Sequence, residues 1–242
     1  MTDHEINALL EKRFLQTQSV FGRTRLSAAM HWKQISWLVV VSSALFLKRV
    51  FDIVASLLFL LTFLPLFLLL ALLIKLEDGG PVLFTQKRVG RFGSEFKMWK
   101  FRSMCVGAEA KIQKLLTKNQ HADGVTFKIK DDPRITRIGK WLRKFSLDEL
   151  PQFFNVLIGD MSLVGPRPPV PREVALYTMQ DRRRLLVKPG ITCFWQIGGR
   201  SEIDFSGQVQ LDVRYIESQS FWLDLKILLK TVPAVLFGKG AY

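Results

Sequence analysis

The residues best suited to chemistry lie in Arg143–Gln152, RKFSLDELPQ, where two carboxylates, Asp148 and Glu149, are adjacent. Adjacent side chains on a helix point roughly 100° apart, so this pair is poorly placed to act as one bidentate clamp. One carboxylate can attack a phosphorus atom while the other holds a divalent cation such as Mg²⁺. The pair therefore predicts a phosphoryl-transfer site, with Asp148 and Glu149 as the catalytic and metal-binding candidates.

The same stretch also has a purely structural interpretation. Ser146-x-x-Glu149 matches a capping box, which accounts for Ser146 and Glu149 but leaves Asp148 unexplained. Alternatively, the helix begins at Pro151, because proline is favoured at the first helical position. Both alternatives place the carboxylates at a helix N-terminus, where backbone N–H groups favour anions such as phosphate.

A second set of candidates consists of basic residues whose neighbours restrict the backbone. Arginine suits planar, bidentate phosphate contacts, and Arg167, between two prolines in Gly165–Pro168, has little freedom to lose on binding. A further run, Arg182–Arg184, is typical of a solvated surface. The predicted ligands of substrate phosphates or nucleotide are Lys100, Arg102, Arg143, Arg167 and Arg200.

Other catalytic chemistries lack their motifs in this sequence. It has three His, two Cys and no CxxC, and so offers neither a His/Cys metal cluster nor a disulfide framework. Neither GxGxxG nor a Walker-type GxxxxGK[ST] occurs, which excludes nucleotide binding by those loops, and a GxSxG elbow is also absent. A glycosidase is disfavoured because adjacent carboxylates are poorly placed to flank a glycosidic bond from opposite sides.

The chain of 242 residues is both basic and apolar. Its net charge is +14, its pI is about 10.0, 48% of its residues are hydrophobic and its mean hydropathy is +0.16. A disordered basic tail lacks this apolar content and is excluded. The combination indicates a segment in lipid together with anionic partners, either a membrane surface or phosphate-bearing substrates. Nucleic acid is disfavoured because the aromatic residues are not interleaved with the basic ones.

The catalytic candidates need elements that hold them at a membrane. Ile53–Ile74 is a run of 22 uncharged residues. As a straight helix it is roughly 33 Å long, enough to cross the hydrocarbon core. Pro65 lies near its middle, and basic residues flank both ends, with Lys48 and Arg49 before it and Lys75 after it. We therefore predict a re-entrant helix over residues 48–75, broken at Pro65 and flanked by Lys48 and Arg49, rather than a plain transmembrane helix.

The predicted fold class is α+β and mostly helical. Residues 1–47 are predicted to form a polar segment with a short interfacial helix, Ile35–Leu47, and residues 76–242 a compact cytosolic catalytic domain. We expect an extended turn at Gly165–Pro171 and an amphipathic C-terminal helix, Phe221–Phe237. The other predicted elements are the strands Val82–Thr85 and Phe96–Phe101, the helices Lys111–Lys118, Ile138–Phe145, Leu150–Ile158 and Arg172–Leu186, and a loop at His121–Asp131.

The motifs spread over residues 45–242 together resemble one family. Asn155–Pro168, NVLIGDMSLVGPRP, is the most specific of them. The matching segments are Lys48–Asp52, Gly80–Gly90, Phe96–Met104, Asp132–Gly139, Ser146–Gln152, Asn155–Pro168, Lys188–Thr192 and Gly199–Arg200. In these segments the chain is similar to the bacterial sugar transferases, the monotopic polyprenyl-phosphate phosphoglycosyl transferases, in their small form.

The resemblance implies an enzyme that moves a phospho-sugar from a UDP-sugar to a polyprenyl (undecaprenyl) phosphate and releases UMP. In that family the Asp of the pair is the nucleophile that forms a covalent phospho-sugar intermediate, and the Glu helps to bind Mg²⁺ or Mn²⁺. These roles fall on Asp148 and Glu149. The apolar segment of the family is re-entrant. The resemblance implies that the enzyme catalyses the first membrane step of exopolysaccharide or glycan assembly. It also implies a location on the cytoplasmic face of the bacterial inner membrane, in contact with lipid, and it allows a homo-oligomer.

The sequence departs from the family at two places. Leu64 stands where many members have a serine before the helix-breaking proline, Pro65. Asp181 is the acidic residue available where members often carry a Glu, near Tyr177. The alternative function from another class is a non-enzymatic scaffold that docks its basic surface on anionic lipid.

Overall fold

The structure, a computed structural model, describes residues 5–8, 11, 14, 18–108, 132–198 and 203–236. Its contacts divide the chain into two units, Met1–Lys48 and Arg49–Tyr242. Three sequence predictions lie outside the described residues: the helix at Lys111–Lys118, the loop at His121–Asp131 and the role of Arg200.

Helix α1, Val20–Thr62, begins in the first unit and ends in the second. The prediction of a separate short helix at Ile35–Leu47 is wrong, because these residues lie within this single helix of 43 residues. Neither glycine nor proline occurs between Arg23 and Thr62, so the sequence contains nothing that would end the helix earlier.

Helix α2, Leu64–Asp78, follows after a single non-helical residue, Phe63. Pro65 occupies the first turn of α2, where a missing backbone N–H costs no helical hydrogen bond. The predicted helix break is therefore present, but it lies at Phe63, two residues before the predicted Pro65. Of the described residues, no single helix is long and apolar enough to span a bilayer. Arg23–Thr62 and Leu64–Asp78 meet the length and composition only as a pair, and they are bent by 62°.

The next two elements are antiparallel strands, β1 (Leu83–Val89) and β2 (Glu95–Phe101). Leu83 is opposite Phe101, and Val89 is opposite Glu95. The two predicted strands are confirmed, although β1 extends four residues beyond the predicted Thr85. A 3-10 turn at Arg91–Gly93 joins them.

The carboxylate pair lies between two helices, α3 (Arg137–Lys144) and α4 (Gln152–Ile158). The Thr136 side chain caps α3 by accepting a hydrogen bond from the Gly139 N–H, at 2.9 Å. Helix α4 ends at Gly159, whose φ of 98° lies in the left-handed region that favours glycine. Both helices are confirmed to within about two residues of their predicted bounds.

Two short parallel strands, β3 (Ser162–Val164) and β4 (Gly190–Thr192), lie on either side of the proline-rich turn in the chain. Helix α5, Pro171–Ala175, and a 3-10 helix, Asp181–Leu186, fall between them. The single helix predicted over Arg172–Leu186 is therefore wrong. The reason is local, because the Asp181 carboxylate accepts hydrogen bonds from the N–H and hydroxyl of Thr178, both at 2.8 Å, and so begins a new turn.

The described chain ends with helices α6 (Phe194–Gly198), α7 (Phe205–Glu217) and α8 (Phe221–Leu236). In α8, Ile227 is completely buried, whereas Trp222 and Leu229 are exposed. This distribution confirms the predicted amphipathic helix over its described residues. The α+β, mostly helical fold class is also confirmed over the described part of the chain.

Two hydrophobic clusters hold the second unit together. One joins β2, α4, β3, α7 and α8, and it contains Met98, Val156, Met161, Leu163, Val164, Tyr215 and Ile227. The other contains Leu70, Ile74, Phe101 and Leu142, and so ties α2 to β2 and α3. Leu66 and Phe67, next to the helix break, and Leu147 and Leu150, beside the carboxylates, all pack against this second cluster, which therefore links the break to the carboxylate segment.

Candidate active site

Asp148 and Glu149 lie on a 3-10 turn, Leu147–Glu149, between α3 and α4. Leu147 and Leu150 anchor this turn by packing against the cluster that contains Phe101. The predicted capping box is absent, because Ser146 adopts φ 54° and its side chain makes no capping hydrogen bond. Helix α4 begins at Gln152, one residue after the alternative predicted start at Pro151. The carboxylates therefore precede a helix of seven residues but do not cap it.

Lys100, on β2, bridges the two carboxylates. Its Nζ donates a hydrogen bond to Glu149 Oε1 at 2.7 Å and lies 3.9 Å from Asp148 Oδ2. All three side chains are shielded from solvent, with 19% of Lys100, 12% of Asp148 and 30% of Glu149 exposed. The structure thus brings one predicted phosphate ligand into direct contact with the predicted catalytic pair.

The two carboxyl groups differ in acidity. Burial raises the pKa of Asp148 to about 6, and the negative charge of Glu149 adds to this effect while the positive charge of Lys100 opposes it. Burial also acts to raise the pKa of Glu149, but the charge and hydrogen bond of Lys100 outweigh it, so that pKa is lowered. At neutral pH Glu149 is a carboxylate, and Asp148 is a mostly ionised carboxylate of unusual basicity. Two carboxyl groups with separated pKa values can take different roles.

Two of the predicted arginines act on this pair. Arg143 is in the last turn of α3, and its charge lowers the pKa of Asp148. Arg167 is exposed on the proline-rich turn, and its charge lowers the pKa of Glu149. Its guanidinium carbon lies 5.9 Å from the centre of the Trp195 ring. Lys100, Arg143 and Arg167 therefore place positive charge around the Asp-Glu pair.

Arg102 has other partners. Its guanidinium donates to both carboxylate oxygens of Asp78 and, at 2.5 Å, to the Pro81 carbonyl. The hydrogen bond from Arg102 lowers the pKa of Asp78 to about 2. These contacts fasten the end of α2 to the start of β1. The structure thus gives Arg102 a structural contact away from the carboxylate pair.

The predicted basic membrane flank is also engaged within the protein. Arg49 donates to the carbonyls of Val156, at 2.6 Å, and Leu157, at 2.8 Å, near the C-terminal end of α4. Cations at this position satisfy unpaired helical carbonyls and complement the helix dipole. Arg49 therefore has a structural contact in addition to its predicted role, whereas Lys48 is the last residue of the first unit.

Sequence reasoning missed Asn155, a completely buried residue of α4. Its Oδ1 accepts a hydrogen bond from the Trp99 N–H at 2.9 Å, and its Nδ2 donates to the Lys97 carbonyl at 2.8 Å. Asn155 therefore joins α4 to the strand that carries Lys100. The available signal was an amide in an otherwise apolar segment, since a buried amide requires partners.

Arg88 was also missed as a site residue. It lies on β1, is buried, and donates from Nη1 to the Pro168 carbonyl at 2.9 Å. The next residue, Val89, donates its N–H to the Pro169 carbonyl, also at 2.9 Å. Strand β1 thus holds the turn that carries Arg167.

The carboxylates of the site can hold a metal ion only if a bound substrate supplies further ligands. Among the residues that the structure describes, no group of three His, Cys, Asp or Glu side chains could hold a metal ion. Mg²⁺ is commonly held by one or two carboxylates together with substrate phosphates. Asp148 and Glu149 can supply those two carboxylates, so the pair fits a Mg²⁺ that binds along with a diphosphate.

This fold and site belong to a known family. Residues 43–238 match the family model described as bacterial sugar transferase, and the chain is therefore a member of the bacterial sugar transferase family. The family prediction made from the sequence motifs is confirmed.

Three relatives show the range of the similarity. The chain is 57% identical over 166 residues to the galactosyl transferase CpsE of Streptococcus agalactiae serotype III. It is 45% identical over 203 residues to the undecaprenyl-phosphate galactose phosphotransferase of Salmonella typhimurium. It is 42% identical over 198 residues to the exopolysaccharide production protein ExoY of Rhizobium meliloti.

The coverage of these relatives is unequal. The matches take in 68%, 83% and 81% of this chain, respectively. They take in 37% of the Streptococcus protein and 42% of the Salmonella protein, but 88% of the Rhizobium protein. The chain thus spans less than half of the first two relatives and most of the third.

Proposed function

We propose that this protein transfers a sugar phosphate from a UDP-sugar to a polyprenyl phosphate, releases UMP, and thereby starts the assembly of an exopolysaccharide or another glycan. The observation that carries the proposal is the shielded Asp148–Glu149 pair bridged by Lys100. Relatives with the names undecaprenyl-phosphate galactose phosphotransferase and undecaprenyl-phosphate glucose phosphotransferase support it.

In the first step, a carboxylate oxygen of Asp148 attacks the phosphorus that bears the sugar. A bond forms between that oxygen and phosphorus, and the bond to the bridging oxygen of the diphosphate breaks, so that UMP leaves with the bonding electron pair. The raised pKa of Asp148, about 6, supports this role, because a more basic carboxylate is a better nucleophile that is still mostly ionised at neutral pH.

In the second step, an oxygen of the polyprenyl phosphate attacks the same phosphorus. The acyl-phosphate bond to Asp148 breaks, the carboxylate is regenerated, and the product is a polyprenyl diphosphate sugar. A covalent intermediate lets one site serve a water-soluble donor and a lipid acceptor in turn, which predicts ping-pong kinetics.

The basic residues stabilise the charge on the transferring group. Phosphoryl transfer depends on in-line positioning and charge neutralisation more than on other chemistry from the protein. Lys100 is in contact with the pair, and the charges of Arg143 and Arg167 act on it. We propose that these three residues contact the donor phosphates, and that Arg200 does so as well.

A divalent cation completes the proposed donor site. Asp148 and Glu149 would hold Mg²⁺, or Mn²⁺, together with the diphosphate of the donor. Once bound, the cation supplies Lewis-acid neutralisation of the diphosphate charge. Glu149 suits this role because its lowered pKa keeps it ionised over the whole physiological range.

An apolar groove supports the proposal that the acceptor is a polyprenyl phosphate. It has a volume of about 250 Å³ and lies between the helix break and α4. Its lining residues are Leu57, Leu60, Leu61, Leu64, Phe67, Phe154 and Leu157. Phe67 also packs against Phe101 in the cluster that anchors the Asp148 turn. The groove and the turn that carries the carboxylate pair thus pack against the same hydrophobic cluster.

We further propose that residues 48–75 enter the cytoplasmic membrane as a re-entrant helix and that residues 76–242 form a catalytic domain on the cytoplasmic face. Two features support this proposal: the 62° bend, and the exposure of large apolar side chains on both sides of it. The exposed apolar residues include Leu58, Leu61, Leu64, Leu68, Leu72 and Leu76. So much apolar surface in water would be costly, whereas lipid covers it at no such cost.

Cysteine labelling tests this topology. In a chain without its two native cysteines, Val50→Cys and Leu76→Cys place single thiols at exposed positions on either side of the break. Both should react with a membrane-impermeant maleimide from the cytoplasmic side only. Reaction from opposite sides would show a single crossing and refute the re-entrant arrangement.

UMP release tests the activity. The full chain in vesicles containing polyprenyl phosphate and Mg²⁺ should release UMP from at least one member of a panel of UDP-sugars. Asp148→Asn should reduce that release by about 10³-fold or more. Asp204→Asn is a matched control, because Asp204 caps α7 and asparagine caps equally well. Equal rates of release in wild type and Asp148→Asn would refute the role of Asp148, whereas no release by the wild type from any UDP-sugar would support the non-enzymatic scaffold.

A further inference from the structure

Arg88 is a buried cation with incomplete pairing. Only 7% of the residue is exposed. Nη1 donates to the Pro168 carbonyl, and Nη2 donates to Gln86 Oε1 at 2.7 Å. Its Nε is buried and has no hydrogen-bond partner among the residues that the structure describes, and no described carboxylate forms an ion pair with it.

Such a guanidinium is costly to bury. Burial lowers the pKa of Arg88 to about 10, with a further lowering by the charge of Arg167 and opposition from Glu173 and Glu149. An apolar side chain of similar size would be cheaper in this position. Arg88 therefore needs an explanation other than stability.

The surroundings of Arg88 suggest that explanation. The charged groups that act on Glu149 are Lys100 from β2, Arg167 from the proline-rich turn, Arg88 from β1, and Asp148 beside it. Of these three cations, Lys100 alone forms a hydrogen bond with Glu149 in the part of the chain that the structure describes. Arg88 thus contributes a fixed positive charge to the site from within the protein.

Arg88 also acts on the backbone that presents Arg167. Arg88 Nη1 and the Val89 N–H bind the carbonyls of two consecutive residues, Pro168 and Pro169, each at 2.9 Å. These carbonyls directly follow Arg167 in the chain. The turn therefore has little freedom to shift relative to β1.

We propose that Arg88 is a positioning residue for the transfer reaction: it fixes the turn that presents Arg167 to the donor diphosphate. The proposal rests on the function proposed above, because an anion ligand held in a fixed position serves the binding of a diphosphate. It assigns to Arg88 no contact with substrate.

Three variants of the full chain test this role. Arg88→Met removes the charge and the hydrogen bonds, and Arg88→Lys keeps the charge but cannot make the same planar set of hydrogen bonds. Lys87→Met is the matched control, since Lys87 is the neighbouring cation on β1 but is exposed. The measurements are kcat and KM for the UDP-sugar, with thermal unfolding to establish that each variant folds.

Arg88→Met should lower kcat/KM by roughly 10- to 100-fold, mainly through KM, because the Arg167 turn is no longer held. In Arg88→Lys kcat/KM should stay reduced, again mainly through KM, because lysine keeps the charge but not the planar hydrogen bonds to the turn. Lys87→Met should match the wild type in both kcat and KM.

Several outcomes would overturn the proposal. A wild-type KM for the UDP-sugar in Arg88→Met would do so, as would full recovery of kcat/KM in Arg88→Lys. If Arg88→Met does not fold, Arg88→Lys decides, since wild-type kcat/KM in that variant contradicts the positioning of the turn. The proposed function fails separately, through a wild-type chain that releases no UMP from any UDP-sugar tested.

Discussion

Replacing Lys100 with methionine tests the electrostatic design of the site. The substitution keeps the length of the side chain but removes the ammonium group between Asp148 and Glu149. The burial that raises the pKa of Asp148 then acts without its main opposing charge. We expect the pKa of Asp148 to rise further, because its ionised form loses a favourable interaction while its protonated form does not.

The size of the shift follows from the distance. Lys100 Nζ lies 3.9 Å from Asp148 Oδ2. At this separation two unit charges interact by about 1 kcal/mol in bulk water and by about 4 kcal/mol at an effective dielectric constant near 20. Since one pKa unit corresponds to about 1.4 kcal/mol, the pKa should rise by roughly 0.8 to 3 units. At pH 7 the ionised fraction of Asp148 would fall from about nine tenths to between roughly one half and one hundredth.

The assay is the pH profile of kcat/KM for UMP release. Lys100→Met should move the acidic limb from about pH 6 towards roughly pH 7–9, and part of the lost activity should return at high pH. The part that does not return measures the contribution of Lys100 to neutralising the transferring phosphate. Lys97→Met is the control, because Lys97 is exposed on the same strand. An unchanged acidic limb in Lys100→Met would refute the assignment of that limb to Asp148.

Two further predictions concern the stability of the scaffold. Asn155→Ala should lower the free energy of unfolding by about 3 kcal/mol, because two backbone groups of β2 lose their partners. The corresponding fall in Tm is about 6–12 °C for a unit of this size, whereas the exposed Gln210→Ala should leave Tm unchanged. Arg49→Met should cost about 2–4 kcal/mol, because two carbonyls of α4 lose a charged donor. Thermal unfolding beside the exposed Lys140→Met measures this cost, and equal Tm values would contradict the helix-end contact.

Features that depend on short stretches of sequence could be predicted. Pro65 cannot continue an uninterrupted helix, so the break follows from one residue. The strands and helices around the site likewise follow from local periodicity and turn residues. The Asp148–Glu149 pair could be identified because adjacent carboxylates beside a helix start are a local feature.

Features that depend on long-range pairing could not be predicted. Arg102 and Arg167 were both predicted to bind substrate phosphates. In the structure Arg102 pairs with Asp78, 24 residues away, while Arg167 stays exposed and its charge acts on Glu149. Arg49 looked like a membrane-facing cation, yet its partner carbonyls are more than 100 residues away. Composition and spacing do not reveal which carboxylate or carbonyl an arginine will meet.

The same limit explains the residues that were missed. Arg88 is on a strand with basic neighbours, and only the fold shows that it is buried and that its charge acts on Glu149. Asn155 is conspicuous as an amide within the otherwise apolar run Phe153–Ile158, but its partners on β2 could not be identified before the strand was placed. In both cases the function of the side chain follows from tertiary contacts and not from its own residue type.

The proposed mechanism requires Asp148 to be the nucleophile. The most direct test is the intact mass of the full chain after incubation with UDP-sugar and Mg²⁺ in the absence of polyprenyl phosphate. We expect a mass increase equal to one sugar phosphate, located on Asp148, which disappears when polyprenyl phosphate is added and never forms in Asp148→Asn. Normal turnover with acceptor but no adduct without it would contradict a covalent intermediate and show that the sugar phosphate passes directly from donor to acceptor.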